Sequence, residues 1–180
     1  MWRCRKSTFF WLFSCTNCLQ RKSFLRLMAD VVTPEQRSLM MSGIRGKNTR
    51  PELTIRKLLH SRGYRYRLHD KKLPGKPDIV LPKYRAVILI HGCFWHGHDC
   101  HLFKWPSSNE SFWKEKITKN RLVDERSLQS LLVAGWRVLT IWECALKGKR
   151  KLPVEQIADD IVLWLEMYSA SAEIKGDYRQ

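Results

Sequence analysis

The run Ala86-Val87-Ile88-Leu89-Ile90 constrains this chain more than any other. Consecutive, mostly branched apolar residues form a strand only if both of its faces are buried, so a sheet covered on two sides has to be built around them. The run ends at His91-Gly92 and passes into Cys93-Phe94-Trp95-His96-Gly97-His98-Asp99-Cys100-His101, a loop dense in aromatic and metal-ligand side chains. A buried strand that delivers such residues at its end holds a site on a rigid support.

The flanking sequence supplies the covering layers. Thr33-Pro34-Glu35-Gln36 and Thr49-Arg50-Pro51-Glu52 each begin a helix, with a capping threonine, proline in the first turn and an acid or amide behind it. The first stops by Gly43, before the basic loop Arg45-Gly46-Lys47-Asn48-Thr49. The second has an apolar face of Leu53, Leu58 and Leu59 and ends at Gly63. Tyr64 to Leu68 alternates as a half-buried strand. Asp78 to Leu81 is a short strand that Pro82 to Arg85 turns back to pair with Ala86 to Ile90. A long helix from Glu110 to Ala134, a strand from Arg137 to Trp142 leading to Glu143-Cys144, and a helix from Pro153 follow. That last helix has Ile157, Ile161, Trp164, Leu165 and Tyr168 on one stripe. This order predicts an α/β sandwich, a central mixed sheet flanked by helices, over residues 28–168, with 169–180 as a flexible tail.

Residues 1–27 read as an extension to that domain. Their apolar run Phe9-Phe10-Trp11-Leu12-Phe13 is short for a signal peptide and far too short to span a bilayer. Met28-Ala29-Asp30 resembles a true start, so residues 1–27 are expected to be a misassigned start or disordered.

A net charge of +16 over 180 residues calls for a polyanionic partner, nucleic acid ahead of membrane. Six cysteines are too sparse for a disulfide scaffold. Cys93, Cys100 and Cys144 lie among histidines, which favours metal in a reducing cytosol. Cys93-x4-His98-x-Cys100 with Cys144 suits a Cys3His zinc site, for which His96 and His101 compete as ligands, the other reading being that the three cysteines are simply core. Asp78, with the backbone carbonyl of Ile90, offers the hard oxygens that Mg²⁺ prefers. His96, if not on zinc, suits a general base near neutral pH. Phe94, Trp95 and Trp113 either pack over the zinc loop or wedge between DNA bases.

Taken together, Pro74-Gly75-Lys76-Pro77-Asp78, His91-Gly92-Cys93-Phe94-Trp95-His96-Gly97-His98-x-Cys100, Phe112-Trp113-x-x-Lys116-Ile117-x-x-Asn120, Gly135-Trp136-Arg137-Val138 and Trp142-Glu143-Cys144 resemble the very short patch repair (Vsr) DNA mismatch endonucleases. The likeness includes Arg45 to Thr49 with Glu52, and runs from about Met28 to Leu165. It implies a restriction-endonuclease-like three-layer sandwich with a structural zinc site. It also implies nicking of one DNA strand 5′ to the thymine of a T·G mismatch left by deamination of 5-methylcytosine. Carried over, Asp78 is the Mg²⁺ ligand and His96 the general base, while His91, Glu52 and Asp124 hold waters on the metal or the phosphate. Zinc sits on Cys93, His98, Cys100 and Cys144, and Phe94, Trp95 and Trp113 intercalate. A cytoplasmic, DNA-associated monomer is implied, without membrane attachment and linked in function to a DNA cytosine methyltransferase and to mismatch-repair proteins. Two other readings are a restriction-type endonuclease without a mismatch requirement and a non-catalytic zinc-containing DNA-binding module.

N-terminal sequencing of the native protein is expected to find Met28 as its first residue; a chain beginning at Met1 refutes the misassigned start.

Overall fold

The computed structural model describes residues 33–43 and 46–177. The extension over residues 1–27, and Arg45 of the basic loop, lie outside the described residues. Two compact units are distinguished, Met1–Gly43 and Ile44–Gln180. In the first, α1 (Pro34–Ser42) starts as the sequence predicts. The Gln36 N–H donates to the Thr33 hydroxyl at 3.3 Å and the Thr33 N–H to the Gln36 side chain at 3.1 Å, a reciprocal cap.

The second unit runs α2 (Arg50–Ser61), β1 (Arg67–Leu68), β2 (Ile79–Leu81), β3 (Ala86–His91), α3 (Glu110–Val133), β4 (Arg137–Trp142), α4 (Glu143–Leu146), α5 (Val154–Glu166) and β5 (Ser171–Ile174). Its sheet has the order β1-β2-β3-β4-β5, antiparallel from β1 to β3 and parallel from β3 to β5. The expected hairpin is present, with Ile79 opposite Ile88 and a 3-10 turn, Pro82–Tyr84, between the strands.

Alternation along the strands divides the core in two. Ala86 and Ile88 of β3, with Leu139 and Ile141 of β4, pack against Ile55 and Leu59 of α2 and Ile157 and Ile161 of α5. Val87 and Leu89, with Val80 and Val138, pack against Leu131 of α3. The predicted mixed sheet with flanking helices is therefore what forms. Among the described residues no helix is long and apolar enough to cross a membrane.

Four expectations need correction. The strand expected over Tyr64 to Leu68 shrinks to Arg67–Leu68, both exposed, because only these two pair with β2. The face of α2 turns on Ile55 rather than Leu53, which is 43% exposed. Tyr168, counted on the stripe of the last helix, lies beyond its end and is exposed. Residues 171–174, expected to belong to a flexible tail, form β5 beside β4, with Val138 opposite Ser171 and Ile141 opposite Ile174. The cause is tertiary. The Arg137 guanidinium donates to the carbonyls of Trp164, Leu165 and Ser169 and lies over the Trp164 ring, which pins the end of α5 and aims the chain along the open edge of β4.

Candidate active site and metal centre

Strand register builds the candidate metal centre. β3 and β4 pair in parallel up to His91 opposite Trp142, so Gly92-Cys93 and Glu143-Cys144 emerge side by side. The loop after β3 then folds back on itself, with the His98 N–H donating to the Cys93 carbonyl at 2.9 Å and the His96 N–H to the Gly92 carbonyl at 3.2 Å. Gly97 is required in this turn. Its φ is +62°, and a Cβ there would lie 2.6 Å from Ile117 of α3.

The donor atoms of Cys93, His98, Cys100 and Cys144 lie within 4.8 Å of one another. Both the Cys93 and Cys144 sulfurs are 3.6 Å from His98 Nδ1. The two cysteines are fully buried, and none of the three is in a disulfide. The neighbouring Cys144 thiol, and then burial, push the Cys93 thiol well above its ordinary range. His98 stacks on the Trp142 ring at 4.1 Å, and Glu143 accepts the Cys93 N–H at 3.3 Å. His98 thus joins the sulfurs. His96 is engaged elsewhere, and both ring nitrogens of His101 are buried without a hydrogen-bond partner.

His96 turns to α3, where its Nδ1 meets Asp124 Oδ2 at 2.5 Å. With that nitrogen donating to the carboxylate, Nε2 is left as the acceptor. The His91 ring stacks on His96, with centroids 3.9 Å apart and planes 1° from parallel. Burial, reinforced by His96 and opposed by Asp124, lowers the His91 pKa to about 4.

Asp78 immediately precedes β2, and its Oδ2 accepts the Ile90 N–H of β3 at 2.8 Å. Burial pushes this carboxyl above its ordinary value, with the Ile90 hydrogen bond opposing the shift. Glu52 is 3% exposed. One of its oxygens takes the N–H and hydroxyl of Thr49, in a capping box, and the other takes the Asn48 N–H and the Arg56 guanidinium at 2.6 Å. Asp78, Glu52, Ile90, His91, His96 and Asp124 all line one cleft of about 630 Å³, joined by Lys47, Lys71, Lys76, His69 and Glu143.

Phe94, Trp95 and Trp113 form one aromatic group, with ring centroids between 5.2 and 6.1 Å apart. Asn120 of α3 donates to the Trp95 carbonyl at 2.8 Å and anchors this part of the loop. Phe112 continues the group outward and is 56% exposed. The rings pack beside the metal loop and also form an apolar surface.

His69 and Glu143 have no assigned role in the sequence reading. Trp142-Glu143-Cys144 is visible as a motif, but the link from Glu143 to Cys93 depends on strand register. His69 reads as one member of a basic turn.

The family model for the DNA mismatch endonuclease Vsr matches residues 29–102. The chain is 51% identical over 119 residues to the type II nicking enzyme V.XorIIP of Xanthomonas oryzae pv. oryzae, covering 66% of this chain and 88% of that protein. It is 45% identical over 147 residues to the DNA mismatch endonuclease Vsr of Escherichia coli K12, covering 82% and 94%. A solved structure, the catalytic domain of the homing endonuclease I-Bth0305I, aligns with a TM-score of 0.43 at 22% identity, over 68% of this chain and 100% of that one.

The half-buried Asp78 carboxylate has a consequence for stability. Its folded pKa lies above the ordinary 3.8, so its contribution is fully present below that value and is lost as pH rises through the folded pKa. Without divalent cations, Asp78→Asn is therefore expected to be more resistant to urea than the parent at pH 7. The advantage should shrink at pH 3.5; a parent more stable than the variant at pH 7 contradicts the burial penalty.

Proposed function

Because the chain belongs to the family of Vsr DNA mismatch endonucleases, we propose that it is an endodeoxyribonuclease that nicks one strand 5′ to the thymine of a T·G mismatch. The observation that carries this reading is one cleft holding a half-buried carboxylate, Asp78, together with an imidazole oriented by a carboxylate, His96 with Asp124. A binding module has no use for that pair. The net charge of +16 suits a DNA partner.

The reaction is hydrolysis of a phosphodiester. His96, held at Nδ1 by Asp124, presents Nε2 to a water and takes its proton as the water oxygen bonds to phosphorus and the opposite P–O bond breaks. Asp78 and the Ile90 carbonyl are the proposed Mg²⁺ ligands. A carboxylate oriented by a backbone N–H and opening on a cleft fits such a hard cation. When bound, Mg²⁺ polarises the phosphodiester and stabilises the leaving oxygen. His91 lines the same cleft and is proposed to order waters or phosphate oxygens there, and Lys47, Lys71 and Lys76 to meet the DNA backbone. Glu52 also lines it, but both its oxygens are engaged by Thr49, Asn48 and Arg56, so it is proposed to act through those partners. Phe94, Trp95 and Trp113 are proposed to intercalate beside the mismatch. Half-buried Trp95 lines the cleft and packs with Phe94 and Trp113 beside it, which supports this, since such side chains unstack neighbouring base steps.

Zinc is the proposed occupant of the cysteine centre. Tetrahedral zinc with Zn–S of about 2.3 Å and Zn–N of about 2.0 Å places sulfur and nitrogen about 3.5 Å apart, and the two separations from His98 Nδ1 are 3.6 Å. Four protein ligands leave no open position, so this metal is structural. The substrate chemistry also implies work in the cytoplasm alongside a DNA cytosine methyltransferase, which creates the 5-methylcytosine whose deamination yields T·G, and alongside mismatch-repair proteins.

With Mg²⁺, the protein is expected to nick one strand of a T·G duplex and to leave its matched counterpart intact. Asp78→Ala should abolish nicking, and His96→Ala should lower kcat by about 10²–10⁴-fold. Double-strand cleavage of the matched duplex would establish a restriction-type enzyme instead, and binding without cleavage a DNA-binding module. Elemental analysis should find one zinc per chain, with a chelator lowering the thermal midpoint; metal-free protein of unchanged stability rules the zinc site out.

A further inference from the structure

His69 is held between the capping glutamate of α2 and the carboxylate of the cleft. The pairing of Leu68 with Ile79 places the next residue, His69, directly across from Asp78, and the His69 N–H donates to the Asp78 carbonyl at 3.4 Å. Its backbone adopts φ +48°, the left-handed region that a residue with a side chain occupies only when its surroundings require it. The imidazole Nε2 lies 2.9 Å from Arg56 Nη2, and the same nitrogen of Arg56 is bound to Glu52 at 2.6 Å. On the other side, His69 Nδ1 faces Asp78 Oδ1 at 3.8 Å.

Elementary hydrogen-bond chemistry orders these contacts. A guanidinium has only donors, so Nε2 must accept from Arg56, which leaves the ring proton on Nδ1, aimed at Asp78. Glu52, His69 and Asp78 could by spacing alone hold a cation. Arg56 already supplies the positive charge between Glu52 and His69, and a protonated Nδ1 is no ligand. We propose that His69 is a positioning residue, resting on the reading of Asp78 as metal ligand. The series Glu52–Arg56–His69 fixes its tautomer, so its Nδ1–H is aimed at Oδ1 from 3.8 Å, beyond hydrogen-bond length in this structure, while the Ile90 N–H holds Oδ2 at 2.8 Å. About 1 Å of closure brings the Nδ1–Oδ1 pair to hydrogen-bond length. On this account Glu52 acts on the cleft through Arg56 and His69, its own oxygens being engaged in the cap of α2.

Two measurements on the full, zinc-loaded chain test this. The first is ¹⁵N NMR of histidine-labelled protein. The His69 ring, identified by its loss in His69→Gly, should show pyrrole-type Nδ1 and pyridine-type Nε2. Arg56→Leu should release it toward the Nε2–H form that free imidazoles favour. Pyrrole-type Nε2 in the parent overturns the proposal.

The second is Mn²⁺ binding without DNA, followed by the paramagnetic resonance signal of the free ion. Glycine and asparagine both tolerate the left-handed backbone, and only asparagine restores a donor near the position of Nδ1. His69→Gly should therefore weaken Mn²⁺ binding by about tenfold, with His69→Asn regaining most of the loss. Mn²⁺ affinity in His69→Gly equal to that of the parent also overturns the proposal. If both results are as expected and the parent does not nick a T·G duplex, the proposed function fails and the role of His69 stands.

Discussion

Six residue pairs join β3 to β4 in parallel, from Ala86 opposite Arg137 to His91 opposite Trp142, and the two functional centres hang from the end of that ladder. Because the pairing runs to the last residue of both strands, Cys93 and Cys144 meet immediately beyond it, and the Glu143 carboxylate reaches the Cys93 N–H. Side chains alternate along a strand, so a slip of one residue would turn His91 and Trp142 to the wrong face and separate the sulfurs. Burial prevents it: Val87, Leu89 and Val138 pack toward α3, while Ile88, Leu139 and Ile141 pack toward α2 and α5.

Helix α3 is the second support, and it works through one face. Trp113, Ile117, Asn120 and Asp124 follow one another at intervals of three or four residues, so they line up along a single side of the helix. In order, they join the aromatic group, admit the close approach of Gly97, hold the Trp95 carbonyl and orient His96. The part of the loop from Phe94 to Gly97 therefore rests on a rigid element. This matters because a proton acceptor displaced by 1 Å loses much of its effectiveness.

Asp78 shows what such a cleft costs the fold. A carboxylate held above its ordinary pKa by burial is poorly compensated within the protein, and the Ile90 N–H offsets the penalty only in part. A group placed in this way is suited to a cation rather than to stability. The capping box of α2 has the opposite character. Glu52 spends both oxygens on local donors and secures the start of the helix, and its ion pair with Arg56 extends that order toward His69 and the cleft.

Local pattern was enough for much of this architecture. The apolar run of β3, the capping threonines, the Asp78-to-Ile90 hairpin and the long α3 are short-range features, and each is legible because neighbouring residues decide it. The cysteine and histidine spacing likewise located the cluster of Cys93, His98, Cys100 and Cys144, and the motifs around it pointed to the family. Spacing and the family resemblance pointed to His98, with His96 and His101 as competitors by spacing alone, and the fold aims the His98 ring at the sulfurs and the His96 ring at Asp124. It also ordered β5, whose sequence Ser171-Ala172-Glu173-Ile174 has little strand preference of its own and pairs because β4 leaves an edge open beside an α5 end pinned by Arg137. His69, Arg56 and Glu143 belong to the same class. Arg56 meets Glu52 within α2, but its contact with His69, and that of Glu143 with Cys93, join different elements that only the sheet register and the packing of α2 bring together.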